Sequence, residues 1–166
     1  MNIFLTSYKP QEAARHLDDL RLNKMILETA QLLSNGYRQL FGDHSDLYRT
    51  THVKHPCSLW VCKNIENYSW LVNYFDAVAQ EKYRRDLIKK SASWVQFHKS
   101  WRHLFEIFHS KCQASLSSPI FDFNCTEFPA LEVRAAYQKQ LVKKWLNDLR
   151  APQWTGCSAP EFWQKN

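Results

Sequence analysis

The sequence predicts an all-α fold: a single-domain helical bundle of about five helices, with a short extended N-terminal segment and an irregular Trp/Pro-rich C-terminal tail. Three observations carry this expectation. Apolar residues recur at helical spacing in successive stretches of the chain. Only three glycines are present and strand-like alternation is scarce, which argues against a barrel or sandwich. The chain has 166 residues, 45% of them hydrophobic, enough for one real core. No repeat, low-complexity tract or linker divides it, so one helical domain is expected over residues 1–166.

Taken in order, residues 2–6 form an apolar, strand-like lead-in. Pro10 then falls in the first turn of a helix, where its missing N–H costs nothing. That helix ends around Asn35 and Gly36, or restarts there to carry Tyr37, Arg38 and Leu40. Residues 42–54 are polar and turn-rich. Pro56 opens a second helix over 56–63, with Trp60 and Val61 inward. A third covers 64–86 on the spacing of Ile65, Tyr68, Leu71, Val72, Phe75 and Val78. A fourth covers 93–112 with Trp94, Phe97, Trp101, Leu104, Phe105 and Phe108. Residues 113–130, with Pro119 and Pro129, read as a long surface loop. The fifth helix runs over 131–149, and the tail beyond it is expected to pack back on the body.

The first long helix is apolar almost all round, which calls for burial on most sides. Yet Arg21, Lys24 and Glu28 share one strip of it, with Leu17 and Gln31 beside them. A carboxylate flanked by two cations on a rigid, buried element suits acid/base or anion-handling chemistry. The same strip can equally be a solvated row of i,i+3 and i,i+4 ion pairs.

Net charge is +6 and unevenly placed. Residues 81–112 hold eight basic and three acidic side chains, while the first 80 residues balance at eight of each. Arg84, Arg85, Lys89, Lys90, Lys99 and Arg102, interleaved with Trp94, His98 and Trp101, suit a phosphate backbone and stacked bases. The block ending Lys54-His55-Pro56 precedes a helix N-terminus, which attracts phosphate; alternatively His55 simply caps that helix. Trp94, Trp101 and Trp154 are candidate wedges for base flipping.

Five cysteines at irregular spacing, with no signal-like start, point to a reducing, cytoplasmic compartment. His52, His55, Cys57 and Cys62 lie close in sequence, but without a second metal-binding half no metal is expected. No stretch is apolar enough for a membrane span, and no obligate protein partner is evident. The sequence has no P-loop, dinucleotide fingerprint, HExxH, G-x-S-x-G or Glu-x-x-His pair. The common small-molecule enzyme classes and their cofactors therefore have no anchor here.

The opening MNIFLTSYKP, the helix LDDLRLNKMILETAQLL, Gly36-Tyr37-Arg38 and His55-Pro56 resemble the pyrimidine-dimer DNA glycosylase (endonuclease V-type) family. The chain also resembles a group of small phage-encoded proteins. The shared residues are Met1 to Phe4, Asp19 with Lys24, Met25 and Glu28 through Leu33, His55-Pro56-Cys57 with Trp60, Asn67-Tyr68 with Trp70-Leu71, and His98-Lys99-Ser100. The resemblance implies a cofactor-free DNA glycosylase, with abasic-site lyase activity, acting on a damaged or modified base. In that scheme an N-terminal α-amine attacks C1′ of the sugar and a helix carboxylate moves protons. Carried onto this chain, the amine is that of Met1, with Lys24 as the alternative, and the carboxylate is Glu28 or Asp19. Arg21, Lys24 and Arg38 would hold phosphates. Two departures stand out: Asn2 is larger than the small residue usual after the initiator, and the family's Arg-Glu pair is not in register. A nucleobase-modifying transferase and a non-catalytic nucleic-acid-binding module are the rival readings.

Overall fold

In the computed structural model, residues 2–90, 94–112 and 118–164 are described, the side chains of 94–98 and 164 excepted. Among them there are seven helices and no strand: α1 (Pro10–His16), α2 (Asp19–Phe41), α3 (Pro56–Val61), α4 (Ile65–Ile88), α5 (Trp94–His109), α6 (Val133–Asn147) and α7 (Glu161–Gln164). This is the expected all-α class. The start is irregular rather than strand-like, with Leu5 N–H bonded to Ile3 O and Thr6 N–H to Phe4 O. It is nevertheless core: Ile3, Phe4 and Leu5 are buried.

The single helix expected over residues 10–40 is two. Asp18 breaks it, taking an extended backbone and accepting the Leu20 N–H to cap α2. A short polar side chain at that position satisfies one of the donors a helix start leaves open. The other starts are equally local. Pro56 stands in the first turn of α3 with His55 Nδ1 accepting the Cys57 N–H, Asn64 caps α4, and Glu132 caps α6 by accepting from Arg134 and Ala135. His55 is thus a helix cap, one of the two roles open to it in the sequence.

α4 is the central element, packing against α1, α2, α3 and α5. Gly36 lets α2 approach α3, since a Cβ there would stand 3.0 Å from Val61 Cγ2. The core joins Leu22, Met25 and Leu33 of α2 to Leu71, Phe75 and Val78 of α4, with Trp60 of α3 and Tyr137 and Leu141 of α6. Phe121 and Phe123, in the irregular segment before α6, close it by packing on Trp60. The tail does fold back, with Trp154, Phe162 and Trp163 gathered round Trp145. Gly156 has φ +69° and lies against Ile88, where a Cβ would clash at 2.3 Å.

Candidate active site

The strip on α2 opens onto a hollow, with Arg21 buried, Glu28 half-buried and Lys24 exposed. Arg21, Lys24, Met25 and Glu28 form one wall of a cavity of about 370 Å³. Asn2 and Phe4 of the N-terminal segment and Lys144 and Asp148 at the end of α6 supply the rest, with Leu20 at the rim. Among these lining residues the Asn2 backbone N–H donates to Glu28 Oε2 at 2.8 Å. The carboxylate is therefore held against the first residues of the chain.

Asn2 is fixed from several directions. Its Oδ1 accepts from the Tyr137 hydroxyl at 3.2 Å and lies 3.7 Å from Cys57 Sγ. Further on, Gln138 Nε2 donates to Thr6 O at 2.9 Å, which ties the segment to α6. The start of the chain thus threads between α2, α3 and α6 with its position set by side chains from each. Such anchoring is what a preorganised site needs.

The cations divide into two kinds. Lys24 and Lys144 line the cavity and are exposed. Arg21 is buried: its guanidinium grips Asp148 at 2.5 and 2.9 Å and Asp18 at 3.3 Å. That grip holds the Asp148 carboxyl below its ordinary value. Trp145 Nε1–H donates to Asp18 at 2.8 Å, so the end of α6 is locked to the start of α2.

Asp19, the other carboxylate expected at the site, belongs to a separate cluster. It accepts from Arg85 at 2.9 Å, Lys89 at 2.6 Å and the Thr155 hydroxyl at 2.7 Å. Burial opposes its charge, but the bonds from Lys89, Thr155 and Arg85 outweigh that and hold its carboxyl at about 2. Arg85, expected on a DNA-facing surface, is instead 2% exposed. It is consumed by Glu81, Asp19 and the Leu17 and Arg15 carbonyls. A buried arginine so surrounded cannot reach a phosphate.

Arg84 is half-buried, bonded to Glu81 and to the Gly156 and Thr155 carbonyls. Arg38 is bound to Asp43 at 2.7 Å and to the Tyr48 carbonyl, and shares a second hollow with exposed Lys54. Lys89, Lys90, Lys99 and Arg102 remain exposed, Arg102 lying 5.9 Å over the Trp101 ring. Met1 and the side chains of Trp94 and His98 lie outside the described residues. Of the other proposed wedges, Trp101 is buried, and Trp154 packs on Trp145 and donates to the His16 carbonyl. Exposed Leu20 lines the cavity, and exposed Leu149 lines an adjoining hollow that shares Leu20 and Asp148 with it.

Asn2, Phe4, Lys144 and Asp148 were not legible as site residues, because nothing local links α6 to α2. One further gathering joins the two halves of the chain: His55, Cys57 and Cys125 bring their ligand-capable atoms within 4.8 Å of one another. His52 and Cys62, the neighbours in sequence, are not part of it. The Cys57 thiol, hydrogen-bonded with Cys125 and buried, is pushed up, and Cys125, bonded to Cys57 and Tyr137, is drawn down to about 6. None of the five cysteines is in a disulfide. Among the described residues no helix is long and apolar enough to cross a membrane.

Compared with known proteins, a family model described as pyrimidine dimer DNA glycosylase matches residues 1–109. No curated protein and no solved structure matches the chain.

Proposed function

The chain belongs to the pyrimidine dimer DNA glycosylase family, and we propose that it excises a damaged pyrimidine from duplex DNA and then nicks the strand, with Glu28 as its acid–base group. The observation that carries this reading is the 2.8 Å hydrogen bond between residue 2 of the chain and Glu28, in the lining of a cavity that Lys24 and Lys144 share. That bond supports Glu28 as the carboxylate that would work beside the α-amine of the proposed reaction.

In this mechanism the α-amine forms a bond to C1′ as the glycosidic bond breaks. An α-amine suits the step because its pKa, near 8, lies well below that of lysine. If Met1 is removed, the nitrogen of Asn2 is itself that amine; the Lys24 ε-amine is the alternative within the same cavity. Protonation of the ring oxygen by Glu28 opens the sugar to an imine. The resulting carboxylate then takes a C2′ proton, and the 3′ phosphate leaves by β-elimination. Proton transfer of this kind contributes about 10²–10⁴-fold. Lys24 and Lys144 would neutralise the phosphates flanking the extruded nucleotide.

The test is borohydride trapping on labelled duplexes, one UV-irradiated and one carrying an abasic site. A covalent adduct is expected, mapping to the N-terminal peptide, and Glu28→Gln should abolish incision while leaving DNA binding intact. An adduct on the Lys24 peptide reassigns the nucleophile. Base modification without strand scission would select a transferase, and salt-dependent binding with no reaction a non-catalytic module. Incision untouched by Glu28→Gln removes Glu28 from the chemistry.

A further inference from the structure

Two thiols and an imidazole with no part in the proposed reaction meet behind Asn2. Cys57 is wholly buried at the start of α3, His55 caps that helix, and Cys125 arrives from the irregular segment before α6. The sulfur atoms stand 3.8 Å apart. Two thiolates bound to one tetrahedral zinc at about 2.3 Å lie about 3.8 Å from each other. A disulfide would need them at about 2.05 Å. The two thiols hydrogen-bond at this separation, which is equally that of two sulfur ligands on one metal.

The ligand side chains are held by their surroundings. Asn2 Oδ1 lies 3.7 Å from Cys57 Sγ, and the Cys125 N–H donates to the Tyr137 hydroxyl at 3.2 Å. Such neighbours orient the side chains that bind a metal. The Cys57 N–H donates to His55 Nδ1 at 3.2 Å, so a metal bound through Nε2 would leave that helix cap in place.

We propose that His55, Cys57 and Cys125 form a three-ligand site for a soft divalent cation, zinc above all, with the fourth position filled by solvent. The donor set, two sulfurs and one nitrogen, is selective for such ions over magnesium or calcium. The ion would staple the segment around Cys125, which lies beyond the residues matched by the family model, to α3 and to Asn2. Its role is structural: it braces the wall against which the start of the chain is set. The inference stands on this cluster alone and does not depend on the reaction proposed above.

Elemental analysis of protein purified from zinc-supplied cells without chelators should find about one zinc per chain. Cys125→Ser should lose it and Cys62→Ser should keep it. Stripping the metal should lower the melting temperature of the parent protein but not of Cys125→Ser. Because the serine variant can fail to fold, cobalt is also titrated into the stripped parent, where a thiolate-to-cobalt charge-transfer band is expected. Metal-free protein in which all five thiols react and cobalt gives no such band overturns the proposal. So does a Cys57–Cys125 disulfide in protein kept under reducing conditions.

Discussion

Glu28 and Asp19 are acidic residues of one helix with opposite fates. The helical strip singles out Glu28, and the family resemblance leaves Asp19 as the alternative carboxylate. What separates them arrives from far along the chain. Asp19 receives Arg85, Lys89 and Thr155, whereas Glu28 receives the backbone of residue 2 and opens on the cavity. Such partners leave no local signature. Asp19 is accordingly a stability residue, and its carboxyl is lowered from 3.8 to about 2. A lowered carboxylate stabilises the fold fully above its unfolded pKa, and that stabilisation is lost as pH falls through the folded one. Asp19→Asn should cost about 2 kcal/mol at neutral pH, the worth of lost charged hydrogen bonds. The gap to the parent should close as pH drops from about 4 towards 2. Chemical denaturation across that range checks it: a gap that stays constant, or a variant as stable as the parent at neutral pH, refutes the assignment.

At the scale of elements, helix starts were well marked in the sequence and the break between α1 and α2 was not. Pro10, Pro56 and Asn64 announce their helices by chemistry at the position itself. Asp18 looked like one more polar residue within a continuous apolar pattern, and it breaks the helix with help from Trp145, a partner in α6. That break matters for the segment after α6. Its near end is held by Arg21 on Asp148, and its far end by the Asp19 N–H on the Gln153 carbonyl at 2.8 Å. Between these braces Leu149 and Arg150 project into solvent beside the cavity that holds Glu28. A fully exposed leucine on a loop fixed at both ends has little to contribute to the core. It is well placed to fill the gap in a base stack when a nucleotide is extruded. Leu149→Ser should therefore lower incision of duplex substrate about 100-fold, the rate equivalent of about 3 kcal/mol of unstacking. Incision of the same lesion in single-stranded DNA and the melting temperature should not change. Equal losses on both substrates, or none on either, would exclude a wedge role for Leu149.

Across the whole molecule the basic excess of residues 81–112 divides by burial, which charge counting cannot see. Arg85 and Arg84 are spent internally, joining α4 to the start of α2 and to the tail. Lys90, just after α4, and Lys99 and Arg102 of α5 stay on the surface, and α5 packs beside α2. The groove at that junction is lined by Asn23, Ile26, Leu27, Ser100, Trp101 and Leu104. α2 thus carries the Glu28 cavity on one flank and the α5 groove on the other, with exposed Leu27 on the ridge between. A duplex laid over that ridge would reach both Glu28, the acid–base group proposed above, and the surface cations. Affinity should then fall with salt, and each phosphate contact should contribute about 0.9 to the log–log slope. Lys90→Gln and Lys99→Gln should each flatten the slope by about that amount and leave stability unchanged, and Arg102→Gln should flatten it likewise. Arg85→Gln should do the reverse, lowering the melting temperature while the slope of the folded fraction stays as in the parent. Fluorescence anisotropy across a salt series, paired with thermal melts, separates the two classes. Surface variants that leave the slope intact would move the DNA footprint off α5, towards Lys24, Lys144 and Arg150 around the cavity mouth.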